Sequence, residues 1–177
     1  GNWVTWTLGY KAFPPAPYNP QRAKELLAEA GYAKGVEITI TSIPNVPSPI
    51  VSEALAGYFS AVGVKAKVIH YEYGAWYAWY ADPSKDHTNS LVVFPVGNRL
   101  LAMTLYRGFT STSIFAARWT MPELDALVDK GEQAKTIEEF AQYTTQIQQL
   151  IHDNFMHLPM VEMGDYYAVS PKIDAGK

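Results

Sequence analysis

Between His87 and Pro122 the chain carries no Asp, Glu or Lys, yet it holds three arginines: Arg99, Arg107 and Arg118. They are interleaved with Tyr106, Phe109, Phe115 and Trp119 and with many Ser and Thr residues. A guanidinium pairs in two-pronged fashion with carboxylates and phosphates and stacks on rings. Two readings stay open. The stretch is a recognition surface for an anionic or hydrogen-bonding ligand, or it is a solvated loop whose arginines pair with acids elsewhere in the chain. A second cluster precedes it: Tyr71, Tyr73, Trp76, Tyr77, Trp79 and Tyr80. Such rings could stack on a sugar or peptide. At helical spacing, however, Trp76 and Tyr80 share a face, which favours packing into a core or between lobes.

Catalytic signatures are missing. The four histidines, His70, His87, His152 and His157, form no H-E-x-x-H and no i, i+4 pair. His152 and His157 straddle an expected helix end and read as structural imidazoles rather than metal ligands. The sequence has no G-x-S-x-G elbow, no Walker A and no G-x-G-x-x-G. Asp82 and Asp86 fit a solvated turn better than a carboxylate pair. Zero cysteines remove disulfides and thiol chemistry. The expectation is therefore a protein that is not an enzyme, with no cofactor and no metal.

Composition sets the class. A chain of 177 residues reads as one domain. It can bury roughly 70% of its unfolded surface. With 48% hydrophobic and 18% charged residues it is globular. A net charge of −3 and a pI near 5.8 argue against a nucleic-acid partner. No apolar run approaches the ~20 residues that cross a bilayer. The chain opens on Gly1 without a signal-peptide pattern, so it is expected to be processed or excised from something longer. Aromatics reach 14%, with 12 Tyr and 5 Trp, and such rings favour contact surfaces.

The elements around these residues follow from caps and periodicity. Gly1 to Pro17 is rich in Trp and Pro and reads as an irregular lead-in, with a strand expected near Trp3–Leu8. Asn19 caps a helix with Pro20 at its first position. Ala23, Leu26, Leu27 and Ala30 form its apolar face, and Gly31 ends it. Val36, Ile38 and Ile40 alternate with Glu37, Thr39 and Thr41, as in a half-buried strand. Ser48 is expected to cap a second helix with Pro49 first, an apolar face of Val51, Leu55, Tyr58, Phe59 and Val62, and Gly63 as its end. Val64–Tyr71 is the next strand, alternating against Lys65 and Lys67. Strand, helix, strand with short joins makes a right-handed βαβ unit of parallel strands.

Gly74–Tyr80 should make one or two helical turns, and Asp82–Asn89 a polar loop. Ser90–Pro95, SLVVFP, reads as a strand buried on both faces. Gly97–Trp119 lacks periodicity, and irregular stretches of that length tend to be functional. Thr120 with Glu123 and Thr136 with Glu139 form capping boxes for two further helices. Leu124, Leu127 and Val128 supply a face for the first. Ile137, Phe140, Ala141, Ile147, Leu150 and Ile151 supply one for the second. Leu158–Met163 and Tyr166–Val169 read as closing extended segments.

The run YNPQRAKELLAEAGYAKGVEITIT, with Tyr18, Pro20, Ala23, Leu26, Leu27, Ala30, Gly31 and Tyr32 in register, resembles the start of the C-terminal lobe of the family 5 extracellular solute-binding proteins of ABC transporters, the peptide and nickel type. Ser52–His70 is similar to that family's helix, glycine and strand. Tyr73–Trp79 sits where a W-x-x-[FY] segment is usual, and Met121–Val161 resembles its last helices and returning strand. The resemblance implies a periplasmic binding protein-like (type II) fold: a three-layer α/β lobe with a mixed, partly parallel sheet and helices on both faces. It implies a single C-terminal lobe of a larger two-lobed protein, with residues 1–16 as lead-in and 17–170 as the lobe.

It also implies function. The protein would bind a solute, peptide or related small molecule, for ABC-transporter uptake, in the periplasm or outside the cell. Its partners would be the ligand, the missing N-terminal lobe and the permease, with no nucleic acid. The stretch after the SLVVF strand would face the cleft, making Phe94, Asn98, Arg99, Arg107, Arg118 and Trp119 the candidate ligand-binding residues. Family members that bind peptides often place an aspartate there for the peptide's amino terminus. This stretch has none, which tilts the expected ligand toward an anionic or amine-free solute. The alternatives are an α/β enzyme domain acting on an anionic substrate and a protein-interaction module.

Overall fold

A computed structural model describes residues 8–14, 17–44, 47–82, 84–94, 106–113 and 121–160. The first helix, α1 (Pro20–Glu29), begins as its sequence dictates. The Asn19 side chain accepts the Arg22 backbone N–H at 2.9 Å. At the other end Gly31 turns left-handed, with φ +89°, and Tyr32 N–H donates to Leu27 O at 2.7 Å. The apolar face differs from expectation. Ala23 and Leu27 are half-buried, but Leu26 and Ala30 are exposed. The helix touches the body along a line narrower than its apolar stripe.

Next come β1 (Val36–Ser42), α2 (Ser48–Ala61) and β2 (Val64–His70). The two strands are parallel, with Val36 opposite Val64 and Ser42 opposite His70. After α3 (Tyr73–Ala81), β3 (Ser90–Val93) joins the other side of β1, also parallel, with Thr39 opposite Ser90. The order among the described strands is β2-β1-β3. The chain thus crosses one way to reach β2 and the opposite way to reach β3. Right-handed crossovers in both directions put α2 and α3 on opposite faces of the sheet. This is the layered α/β arrangement that the sequence implied.

Three local expectations are corrected. Ser48 is not a cap: Pro47 holds that position without a side-chain hydrogen bond, and Ser48 is the buried first residue of α2. Its carbonyl instead accepts the Ser52 hydroxyl at 2.7 Å, which satisfies two polar groups under the helix. The alternation of β1 fades toward its end, where Ile40, Thr41 and Ser42 are all buried, because strands flank it on both sides. β3 is not buried on both faces. Its Leu91 is 37% exposed, and β3 stands at the edge of the described sheet.

The C-terminal half forms its own core. α4 (Pro122–Glu132) packs against α5 (Ile137–Asp153) around Leu124, Val128, Ile147 and Ile151, with Tyr106 fully buried among them. Met121 takes the N-cap of α4 without a side-chain bond, and Thr120 lies outside the described residues. The box on α5 is half formed. Thr136 Oγ1 accepts the Glu139 N–H at 3.1 Å. Glu139, however, accepts from the Lys135 N–H at 3.0 Å rather than from Thr136. Ile137, in the first turn of α5, is 64% exposed and leaves the expected stripe.

The lead-in is tied to α5. Gly9 lies so close that a Cβ would stand 2.2 Å from Ala141 O, and its φ is +74°. Gly9 O accepts from Thr145 Oγ1 at 2.8 Å and from Gln148 Nε2 at 2.9 Å. Lys11 N–H donates to Gln148 Oε1 at 3.2 Å, so the buried amide is matched on both ends. Phe13 stacks on His152 with centroids 4.2 Å apart. The expected strand at Trp3–Leu8 lies outside the described residues except for Leu8, which is in a turn. Of the closing segments, Leu158–Met160 is irregular and exposed, and the remainder lies outside the described residues.

Candidate functional site

In an open parallel sheet, ligands bind beyond the carboxyl ends of the strands where the winding direction reverses. Here the chain leaves β1 toward β2 on one side, and β3 lies on the other. The reversal is between β1 and β3. Ile43, just after β1, is buried, and Phe94, just after β3, is 37% exposed.

Phe94 is the outer ring of a stack. Its centroid lies 5.1 Å from that of Trp76, and Trp76 lies 5.0 Å from Tyr80. Trp76 is 1% exposed. The first turn of α3 thus supplies a buried indole that backs an accessible phenyl at the carboxyl end of the sheet. Expected spacing placed Trp76 and Tyr80 on one face, and the structure shows them there. A parallel group lies deeper along α3, with Tyr71 stacked on Trp79 at 5.7 Å and Trp79 edge-on to His87 at 4.4 Å. Ring pairs of this geometry hold one another's orientation.

A Ser–His–Glu chain crosses the same end of the sheet. Ser42 Oγ lies 2.6 Å from His70 Nδ1, and His70 Nε2 lies 3.2 Å from Glu53 Oε1 on α2. The order of residue types mimics a hydrolase triad. The geometry does not, because Ser42 is 0% exposed and no carbonyl could approach its hydroxyl. With the carboxylate accepting from Nε2–H, Nδ1 accepts the Ser42 hydroxyl, and the three side chains clasp β1, β2 and α2 together. Local spacing pairs His70 with no other histidine and does not point to Ser42 or Glu53. The signal that finds the clasp is register, since Ser42 and His70 are the last paired positions of β1 and β2.

Of the three arginines between His87 and Pro122, Arg107 is described. It opens a 3₁₀ turn (Arg107–Phe109). Its Nε donates to Glu132 Oε1 at 3.0 Å and its second terminal nitrogen to Asp129 Oδ1 at 2.9 Å, with a further bond to Glu132 Oε2. The Glu132 and then the Asp129 hydrogen bonds raise its pKa further above the ordinary guanidinium value. Asp125, one turn earlier on α4, accepts the Ser111 N–H at 2.9 Å and also the Ser111 hydroxyl. Asp125, Asp129 and Glu132 thus form an acidic stripe that holds residues 107–111. For Arg107, the reading in which it pairs with acids elsewhere is the arrangement seen. A ligand anion would compete with two carboxylates for it. Beneath the turn, burial pushes the Tyr106 phenol pKa up, partly offset by a hydrogen bond with Gln148.

Asn98, Arg99, Arg118 and Trp119 lie outside the described residues. Two grooves sit at the opposite, amino end of the strands. One is lined by Glu37, Thr39, Lys65, Lys67 and Asn89, the other by Lys24, Leu27, Tyr32 and Lys34. Neither includes Phe94 or Arg107. Among the described residues no group of three or more His, Asp or Glu side chains is placed to hold a metal ion. No described helix is long and apolar enough to cross a membrane.

Residues 3–101, more than half of the chain, match the family of bacterial extracellular solute-binding proteins, family 5 middle. The chain belongs to this family. Among its relatives, a dipeptide-binding protein of Pseudomonas aeruginosa is 23% identical over 180 residues, spanning 92% of this chain and 32% of its own length. Heme-binding protein A of Haemophilus influenzae is 27% identical over 168 residues, spanning 89% of this chain and 30% of that protein. The crystal structure of a dipeptide-binding protein from Pseudoalteromonas sp. SM9913, in complex with Met-Leu, aligns with a TM-score of 0.74. Its identity is 20%, over 86% of this chain and 32% of that one. The chain therefore spans about a third of the length of these relatives. They are binding proteins by description, not enzymes.

Proposed function

We propose that this chain is one lobe of a protein that binds a small solute and presents it to an ABC-transporter permease, with no reaction catalysed. Support comes first from the match of residues 3–101 to family 5. It comes also from the winding reversal at the carboxyl ends of β1 and β3, where Phe94 offers an accessible ring on a buried indole. The ligand would lie between this lobe and a second one, outside the cytoplasmic membrane.

The proposed contacts are Phe94, Asn98, Arg99, Arg107, Arg118 and Trp119. The relatives named above include dipeptide binders, but residues 87–122 here hold no carboxylate for a peptide amino terminus. With Arg107 already held by Asp129 and Glu132, that lack of an acid, together with Arg99 and Arg118, supports a peptide-like ligand lacking a free amine, or an anionic solute. Native mass spectrometry of the intact protein purified without added ligand tests the proposal, because a retained small molecule identifies the class. Titration with peptides and acidic solutes then assigns the arginines. Affinity that is unchanged in both Arg99→Ala and Arg107→Ala removes them from the site.

A further inference from the structure

The aromatic cluster of α3 divides in two. Trp76 is buried, while Tyr73 is 51% exposed and Tyr77 40%. α3 begins just after β2 ends, so Tyr73, its first residue, stands at the carboxyl end of the sheet, as does Phe94 after β3. Both rings lie against the same indole. Trp76 is 6.3 Å from Tyr73, tilted by 36°, and 5.1 Å from Phe94, near-parallel at 22°. Tyr77 adds a third accessible ring, 6.5 Å from Tyr73.

Tyr80, Trp76 and Phe94 make a column of near-parallel rings, with interplanar angles of 14° and 22°. Trp76 covers one face of Phe94, so the exposure of Phe94 belongs to its other face and its edges. The group that best extends such a column is another flat ring. Offset stacking brings oppositely charged parts of two π-systems together, whereas a puckered aliphatic ring gains buried area alone. Tyr73 stands beside Trp76 with a hydroxyl at its tip, a polar group suited to the rim of an otherwise apolar ligand pocket.

We propose that Tyr73 is a further ligand contact and that, with Phe94, it selects solutes carrying a flat aromatic or heteroaromatic group. The assignment rests on the solute-binding reading above and says what the solute carries.

Calorimetric titration of the intact protein with N-acetyl-Ala-Phe and with N-acetyl-Ala-cyclohexylalanine tests it. The probes share one charge and lack a free amine, and they differ in a flat against a puckered ring. N-acetyl-Ala-Phe should bind roughly three- to tenfold tighter. Tyr73→Leu, at an exposed position, should bring that ratio to within about twofold, and Tyr73→Phe should keep it. Equal affinity for the two probes in the parent protein, or an unchanged ratio in Tyr73→Leu, would overturn the assignment and leave solute binding standing. Binding of neither probe would overturn it too, and a solute retained in native mass spectrometry would then show that the solute-binding reading survives without it.

Discussion

Arg107 donates from Nε to Glu132 Oε1 at 3.0 Å, fastening the turn after the buried Tyr106 to the last turn of α4. The pair is partly solvated, with the guanidinium side chain 35% and the Glu132 side chain 42% exposed. Its contribution is therefore screened. Arg107→Ala should lower stability by about 1 kcal/mol or less. The loss should shrink further when urea unfolding is repeated in high salt, since ions weaken exposed pairs. A salt-independent loss would show that packing of the aliphatic stem, rather than the charges, holds the turn.

Trp76 and Phe94 share one stack but not one role. Trp76 is 1% exposed, so Trp76→Ala opens a cavity and should cost about 3–5 kcal/mol in chemical denaturation. Phe94 is 37% exposed, so Phe94→Ala should cost under about 2 kcal/mol. Ligand affinity of the intact protein should fall in the Phe94 variant without loss of fold. Equal destabilisation by the two substitutions would assign Phe94 to the core and remove it from the binding surface.

Gly9→Ala should detach the lead-in from α5. The added Cβ would meet Ala141 O at 2.2 Å, and a φ of +74° is strained for alanine as well. The expected loss is about 2–3 kcal/mol. Amide exchange should speed up at Lys11, whose N–H is held by Gln148. Unchanged protection there would mean that the lead-in is anchored by Phe13 on His152 alone.

His157 sets a pH dependence. Burial lowers its pKa below the ordinary 6.5, and it sits edge-on to Phe109 at 5.9 Å. The unfolded chain therefore takes up a proton first as pH falls. The contribution is complete above 6.5, declines as pH drops toward the folded value, and levels off below it. Asp153, whose pKa is lowered from 3.8 chiefly by its hydrogen bond to His152, acts only at lower pH. Thermal melts between about pH 7.5 and 5.5 should show a shallower decline in His157→Phe than in the parent protein. Identical slopes would show that the imidazole is solvated.

Ser42→Ala removes the β1 end of the clasp between β1, β2 and α2, leaving the His70 Nδ1 without its 2.6 Å partner. A loss of about 1–2 kcal/mol is expected. Ser42→Thr should recover little of it, because the extra methyl has no room at a position that is 0% exposed. Full stability in Ser42→Ala would mean that water replaces the hydroxyl.

Much of this protein was decided locally and could be read along the chain. The Asn19 cap, the left-handed Gly31 and Gly63 and the face shared by Trp76 and Tyr80 depend on neighbours within a few residues, and the parallel β1–α2–β2 unit follows from the order of strand, helix and strand. Sequence carries such information directly. The family, too, is written in the run from Tyr18 to Thr41. What covers each face was decided only in three dimensions. Leu26 and Ile137 have the spacing of core residues yet stand exposed, because burial needs a partner surface that no periodicity supplies. Ser48 looks like a cap and is buried, because Ser52 gives its carbonyl a partner one turn away. The arginine stretch was conspicuous for its lack of acids, but the acids that hold Arg107 lie 22 and 25 residues further on. Ser42, His70 and Glu53 meet across separations of 28 and 17 residues. Spacing along a strand or helix is short-range and survives in the linear text, whereas charge pairing and desolvation are settled by which elements the fold brings together.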